Sequence, residues 1–128
     1  MTLMVSVFVL DDGTGESHVL DTPEDCSDLA GPEVWRTSVW ASEAVRALGA
    51  RFFPELAEGW LVAQPDEVFA LLDECALVRE NLVSVARRRN NAGDVPLADA
   101  VRSIGDRLTN VEAACHRALA IGGGVLVW

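Results

Sequence analysis

The chain contains no lysine, and its first 35 residues contain no arginine either. All ten cations are arginines, a pattern that reads as GC-rich codon usage rather than chemistry. Against them stand twenty carboxylates, for a net charge of −10. A nucleic-acid or anionic-membrane surface needs clustered cations, so this balance argues against both partners. Nor is there an apolar run near the roughly 20 residues of a membrane span. No basic stretch precedes the apolar N-terminus and no small-residue cleavage site follows, so the start does not read as a signal peptide. The three cysteines are odd in number and unrelated in spacing, which fits a reducing cytoplasm rather than a disulfide framework. CxxC and HxxxH pairs are both missing, so no metal site is expected.

What is present is a core. Half of the 128 residues are hydrophobic, enough for one globular domain. The longest signal lies in residues 65–121, two amphipathic stretches joined by Asn90-Asn91-Ala92-Gly93-Asp94. Pro65 with Asp66 and Glu67 suits a first helical turn. Val68, Leu71, Cys75, Val78, Leu82 and Val85 then recur in steps of three and four, a single helical stripe. Phe69, Leu72, Ala76, Val83 and Ala86 are expected to widen it. Arg87, Arg88 and Arg89 suit the negative end of that helix. The second arm, with Asp94 as candidate N-cap and Pro96 just inside, runs through Leu97, Val101, Ile104, Leu108, Val111, Cys115 and Ala118. Two complementary stripes and a short polar loop predict an antiparallel helical hairpin, and a sheet or another helix should cover its remaining apolar edge.

The flanks supply the sheet. Residues 3–10 are apolar and β-branched on both alternating faces, which predicts a central or well-packed strand. Asp11-Asp12-Gly13-Thr14-Gly15 is turn chemistry, and His18-Val19-Leu20 can return as a second strand. Residues 21–33 read as an acidic loop. Ser38 is a candidate cap for a helix over 39–48, with Val34 and Trp35 either an earlier turn of it or an extended lead-in. Phe52-Phe53-Pro54 predicts a compact apolar bend, and residues 60–63 either a strand or a buried connector. Gly122-Gly123-Gly124 reads as a tight turn into a C-terminal strand at 125–128 that pairs with residues 3–10. The expected fold is therefore α+β: a small antiparallel sheet, made of an N-terminal hairpin and a C-terminal strand, packed on a long helical hairpin and one further helix.

Reaction chemistry is harder to find. Cys75 and Cys115 lie in the apolar stripes, where cysteine behaves as a small hydrophobe. If the hairpin turns near residue 92, Cys75 lies opposite about residue 110, which makes a disulfide to Cys115 doubtful. Cys26 sits among carboxylates that would raise its pKa and blunt it. His116 shares a helical side with Glu112, four residues back, which suggests an exposed ion pair. His18 reads as a solvated strand residue. Adjacent carboxylates such as Asp11-Asp12 and Asp73-Glu74 diverge on strands and helices, so none forms a dyad. The stretch Asp11–Glu16 lacks the oxygen-ligand pattern of a calcium loop. A small enzyme would need a pocket uniting distant residues, such as His18, Cys26 and an arginine. No catalytic residue, cofactor or metal is therefore expected.

The charge is unevenly placed. Residues 1–35 hold eight carboxylates, whereas residues 36–128 hold twelve against all ten arginines. The expected partner-binding residues are Asp21, Glu24, Asp25, Asp28 and Glu33, with Trp35 as a desolvated anchor. They would meet a protein with a basic surface.

Four stretches carry a resemblance: Val39-Trp40-Ala41-Ser42; Leu48-Gly49-Ala50-Arg51-Phe52-Phe53-Pro54; Arg107-Leu108-Thr109-Asn110; and the ending Gly123-Gly124-Val125-Leu126-Val127-Trp128. Together they make a layout that resembles small cytoplasmic actinobacterial α+β proteins, some of which act as immunity proteins for polymorphic toxins. The resemblance implies a toxin-like partner and no active-site residues. The alternative is a structural or regulatory subunit that docks or forms a homodimer through its helical hairpin.

Overall fold

The computed structural model describes residues 2–88 and 95–128. Its sheet is built around β1 (Thr2–Leu10). β5 (Gly124–Val127) pairs antiparallel with β1, Val5 opposite Val127 and Val7 opposite Val125. On β5's other edge runs β4 (Leu61–Ala63), also antiparallel. The opposite edge of β1 is shared end to end. β2 (Ser17–Val19) pairs with residues 8–10, and β3 (Leu29–Pro32) pairs with residues 2–4 through an irregularity between Leu3 and Met4. The fold class is α+β as expected, β1 is central, and the C-terminal strand finds the partner that the sequence suggests. β3 is the strand the sequence reading missed, because its Leu-Ala-Gly-Pro carries too little β pattern inside an acidic loop.

The glycine turn before β5 has a steric reason. Gly122 ends the preceding helix at φ +69°, a left-handed cap that glycine adopts freely. A Cβ at Gly123 would overlap the Phe8 carbonyl, and one at Gly124 would overlap the Phe8 ring and the Ala63 carbonyl.

The hairpin is α2 (Val68–Glu80) and α3 (Leu82–Arg87) against α4 (Leu97–Ile121), once α1 is set at Glu43–Ala47. The expected single first arm is broken at Asn81, whose Nδ2 donates to the Leu77 carbonyl at 2.9 Å. Pro96 occupies the N-cap position of α4 with extended ψ, rather than the first turn. Arg89, the Asn90–Asp94 loop and the Asp94 cap lie outside the described residues. Arg79 reaches across to the Glu112 carboxylate at 2.6 Å and the Thr109 hydroxyl at 2.9 Å. Leu82 packs over Gly105, where a Cβ would sit only 3.2 Å from it. The register differs from the expected one, and Cys75 meets Cys115. Phe69, Ala76 and Val83, expected to widen the stripe, are exposed instead.

The intervening segment is a chain of short turns. Residues 34–40 enter a widened helical turn at Arg36–Trp40, so Val34 and Trp35 belong to a turn and not to an extended lead-in. In that turn the Ala41 N–H donates to the Arg36 carbonyl, five residues back. The turn buries Ser38, and the helix restarts at Ser42, whose hydroxyl accepts from Val45 N at 3.4 Å. Ser42, not Ser38, is thus the cap. Phe52-Phe53-Pro54 opens a short 3-10 helix at Phe53–Ala57.

That 3-10 helix is held at both ends by charge. Glu74, buried on α2, accepts from Phe52 N at 3.0 Å, from Phe53 N at 2.8 Å and from Arg51 N. The carboxylate satisfies N–H groups that a helix start leaves unpaired. At the other end the Arg36 guanidinium donates to the carbonyls of Leu56, at 3.1 Å, and Gly59. Trp40 is fully buried, donates its indole N–H to the Ala30 carbonyl at 2.8 Å and stacks on Phe53 at 4.9 Å.

Among the strands, the core cluster takes Leu3, Val5, Val7, Ala30, Leu61, Ala63, Val125 and Val127. In β1, β4 and β5 these are alternate residues, so the helices cover one face of the sheet. No helix among the described residues is long and apolar enough to cross a membrane.

Candidate functional site

The acidic segment is an excursion from the edge of β1. Leu20 N donates to the Val7 carbonyl at 2.8 Å, the chain then leaves, and on its return the Asp28 carbonyl accepts from Val5 N at 2.8 Å. Between these points Asp21, Glu24 and Asp25 are exposed, Asp28 is half-buried, and Cys26 N closes a turn onto the Pro23 carbonyl at 3.0 Å. Four of the six expected partner-binding residues are therefore gathered on one loop along one edge of the sheet.

The other two are placed differently, beyond β3. Glu33 accepts from Arg36 Nε at 2.7 Å, and this hydrogen bond holds its carboxyl below the usual carboxylate range. Its partner also caps the 3-10 helix, so Glu33 is bound into the scaffold. Trp35 is half-buried. Its ring lies against Gly31, which stands at φ +108° and leaves no room for a Cβ, and it meets Trp40 edge-on at 6.0 Å. The exposed remainder of Trp35 lines a groove of about 290 Å³ with Pro32, Val34, Val95 and Ile104.

Seven carboxylates, Asp11, Asp12, Glu16, Asp21, Glu24, Asp25 and Asp28, take part in no ion pair among the described residues; the ion pairs run from Glu33–Arg36 to Arg79–Glu112. No strand carries an arginine. Glu112, expected to pair with His116, is taken by Arg79, whose pKa rises chiefly through that hydrogen bond. Cys75 and Cys115 are fully buried, and the hydrogen bond between them, reinforced by burial, holds the Cys75 thiol far above its ordinary range. No group of three or more His, Cys, Asp or Glu side chains among the described residues is placed to hold a metal ion.

The sequence reading did not anticipate the outer face of the sheet. Pairing and alternation put four rows there. Leu29, Met4, Trp128 and Trp60 form the first, Trp60 and Trp128 touching with ring centroids 6.2 Å apart. Ser6, Leu126 and Val62 form the second, and the Trp128 indole N–H donates to the Ser6 hydroxyl at 3.2 Å. Val19, Phe8, Gly124 and Gln64 form the third, with the Phe8 ring lying over Gly124. Ser17 and Leu10 close the set. Trp60 is 62% exposed, Val19 52%, Leu10 42% and Trp128 41%. A shallow concavity of about 360 Å³ runs between Phe8, Leu10, Val19, Val62 and Leu126. The apolar character of residues 3–10 on both alternations predicted two largely covered faces, and β1 has them: Ser6 and Phe8 on this outer side are only 5% and 4% exposed, so the exposed apolar residues stand toward the margins of the face.

Compared with family models, curated proteins and solved structures, the chain matches none.

Proposed function

We propose that the protein is a non-enzymatic acidic binding module, most concretely an inhibitor of the immunity type that covers a basic site on a partner protein such as a toxin. One observation carries the reading: among the described residues the carboxylates of residues 11–28 form no ion pair and the strands beside them carry no arginine, Arg117 on α4 being the one arginine that shares a hollow with this segment, next to Asp21. Uncompensated charge of one sign steers an oppositely charged partner and raises its association rate. Asp21, Glu24, Asp25 and Asp28 do the steering.

The test captures binding proteins at low salt, identifies them after elution along a salt gradient, and measures their kinetics. Replacing the four residues by Asn or Gln should lower the association rate about tenfold at low salt, with the difference shrinking near 0.5 M salt as screening takes over. An identified basic partner that binds the neutralised protein at an unchanged rate would refute the reading.

A second reading has its own observation. Phe69 and Val83 are exposed on the first arm of the hairpin, as a docking or self-associating subunit requires. Light scattering behind size exclusion decides it: a dimer broken by Phe69→Glu supports it, and a monomer at all concentrations removes self-association.

A further inference from the structure

An antiparallel sheet covered on one face normally alternates to polar residues on the other. Here the alternation brings out Thr2, Ser6, Ser17 and Gln64 as polar side chains, among aromatic and branched ones. Single exposed apolar residues need no explanation, but a contiguous patch does. Leu10 and Val19 are exposed beside a shallow concavity floored by the nearly buried Phe8 and Leu126, and Trp60 and Trp128 are exposed at the other end of the same face.

We propose that the outer face of the sheet is the docking surface for a partner protein with an apolar centre ringed by Lys or Arg. The inference rests on the electrostatic reading above for the sign of the rim, and on the sheet geometry for its centre. Leu10, Val19, Trp60 and Trp128 are the exposed apolar members, and Trp60 with Trp128 forms a paired aromatic anchor of the kind that dominates interface energetics. The loops leaving this sheet, 11–16 and 20–28, carry the seven carboxylates that form no ion pair among the described residues; loop 11–16 reaches the concavity at Gly15, and no strand offers a cation. A second copy would bring another −10 to the contact and no strand-borne cation to meet it. A partner with a basic rim neutralises the border while its apolar centre dries the sheet.

The test uses a fluorescein-labelled 18-residue helical peptide with leucine on one face and arginine on the other, and a scrambled peptide of the same composition. Anisotropy is read for the intact chain, for Leu10→Ser/Val19→Ser/Trp60→Ser, and for the variant with Asp21, Glu24, Asp25 and Asp28 neutralised. The amphipathic peptide should bind saturably, at least tenfold tighter than the scrambled one, and the triple variant should lose at least tenfold in affinity. Leu10→Ser/Val19→Ser is a milder version should the triple variant melt at a lower temperature, and it should still lose several-fold. Equal binding of the scrambled peptide, or full binding by both face variants, would overturn the inference. If only the neutralised variant loses binding, the electrostatic reading stands and the face falls. If only the face variants lose it, the face stands and the steering reading falls. Sedimentation velocity closes the remaining route: a dimer dissolved by the face variants would make a second copy the occupant and overturn the proposal.

Discussion

Removing the Glu74 carboxylate tests the scaffold most directly. Glu74 is 8% exposed and receives the N–H groups of Arg51, Phe52 and Phe53, of which Phe52 and Phe53 lie in fully enclosed surroundings. Glu74→Ala leaves two enclosed donors without an acceptor. Each such loss costs about 1–3 kcal/mol, and water entering the vacated space recovers part of it, so the net cost should be about 3–4 kcal/mol. Against a typical stability of about 5–15 kcal/mol this is a large fraction. Glu74→Gln keeps one oxygen but turns an NH₂ toward the same donors and removes the charge, for about 2 kcal/mol. Urea unfolding followed by circular dichroism reads both, provided the slope m is unchanged. A loss under about 1 kcal/mol for Glu74→Ala would mean that the amides find other acceptors, and the argument that this carboxylate holds the 3-10 helix would be refuted.

Two further outcomes follow from packing and titration. Gly124→Ala places a methyl group against the Phe8 ring and the Ala63 carbonyl, so it should cost about 2–3 kcal/mol in the same urea assay and lower the protection of β5 amides in hydrogen exchange. Cys75 has a raised folded-state pKa, caused first by its hydrogen bond to Cys115 and then by burial. The stabilising effect is fully present below the unfolded thiol pKa, about 8.5, and is lost as pH rises above it, at up to roughly 1.4 kcal/mol per pH unit. Stability measured between pH 8 and 10.5 should therefore fall more steeply for the wild type than for Cys75→Ala, and equal slopes would contradict the assigned environment.

Much of the fold was legible because it depends on periodicity. The stripes through Val68, Leu71, Cys75 and Val78 and through Ile104, Leu108, Val111 and Cys115 are buried as their spacing requires. The strand at residues 2–10 and its pairing with residues 124–127 follow from apolar runs that water disfavours. What was not legible depends on partners distant in the chain. Glu74 read as one of two adjacent helical acids, and nothing local says that its oxygens meet the amides of residues 51–53. Ser42 capped the helix in place of Ser38 because a widened turn, driven by burial of Val39 and Trp40, used up the residues between. The hairpin register differed because a loop's length does not specify it. In the site, the grouping of Asp21, Glu24, Asp25 and Asp28 was legible from charge alone, whereas the engagement of Glu33 by Arg36 was not.

The two surface features constrain each other. An apolar sheet face left bare is a liability, since open sheets invite indiscriminate association. A border of carboxylates with no ion pair among the described residues would limit that association by repelling acidic surfaces and admitting basic ones. Under the proposal, charge of one sign along the rim and apolar surface at the centre would form a single specificity device: the rim would select the approaching surface, and the centre would retain it. On this argument the arginines belong in the helical layer, where Arg36 and Arg79 are engaged, because a cation on β1 or β5 would lift the discrimination that the acidic border imposes.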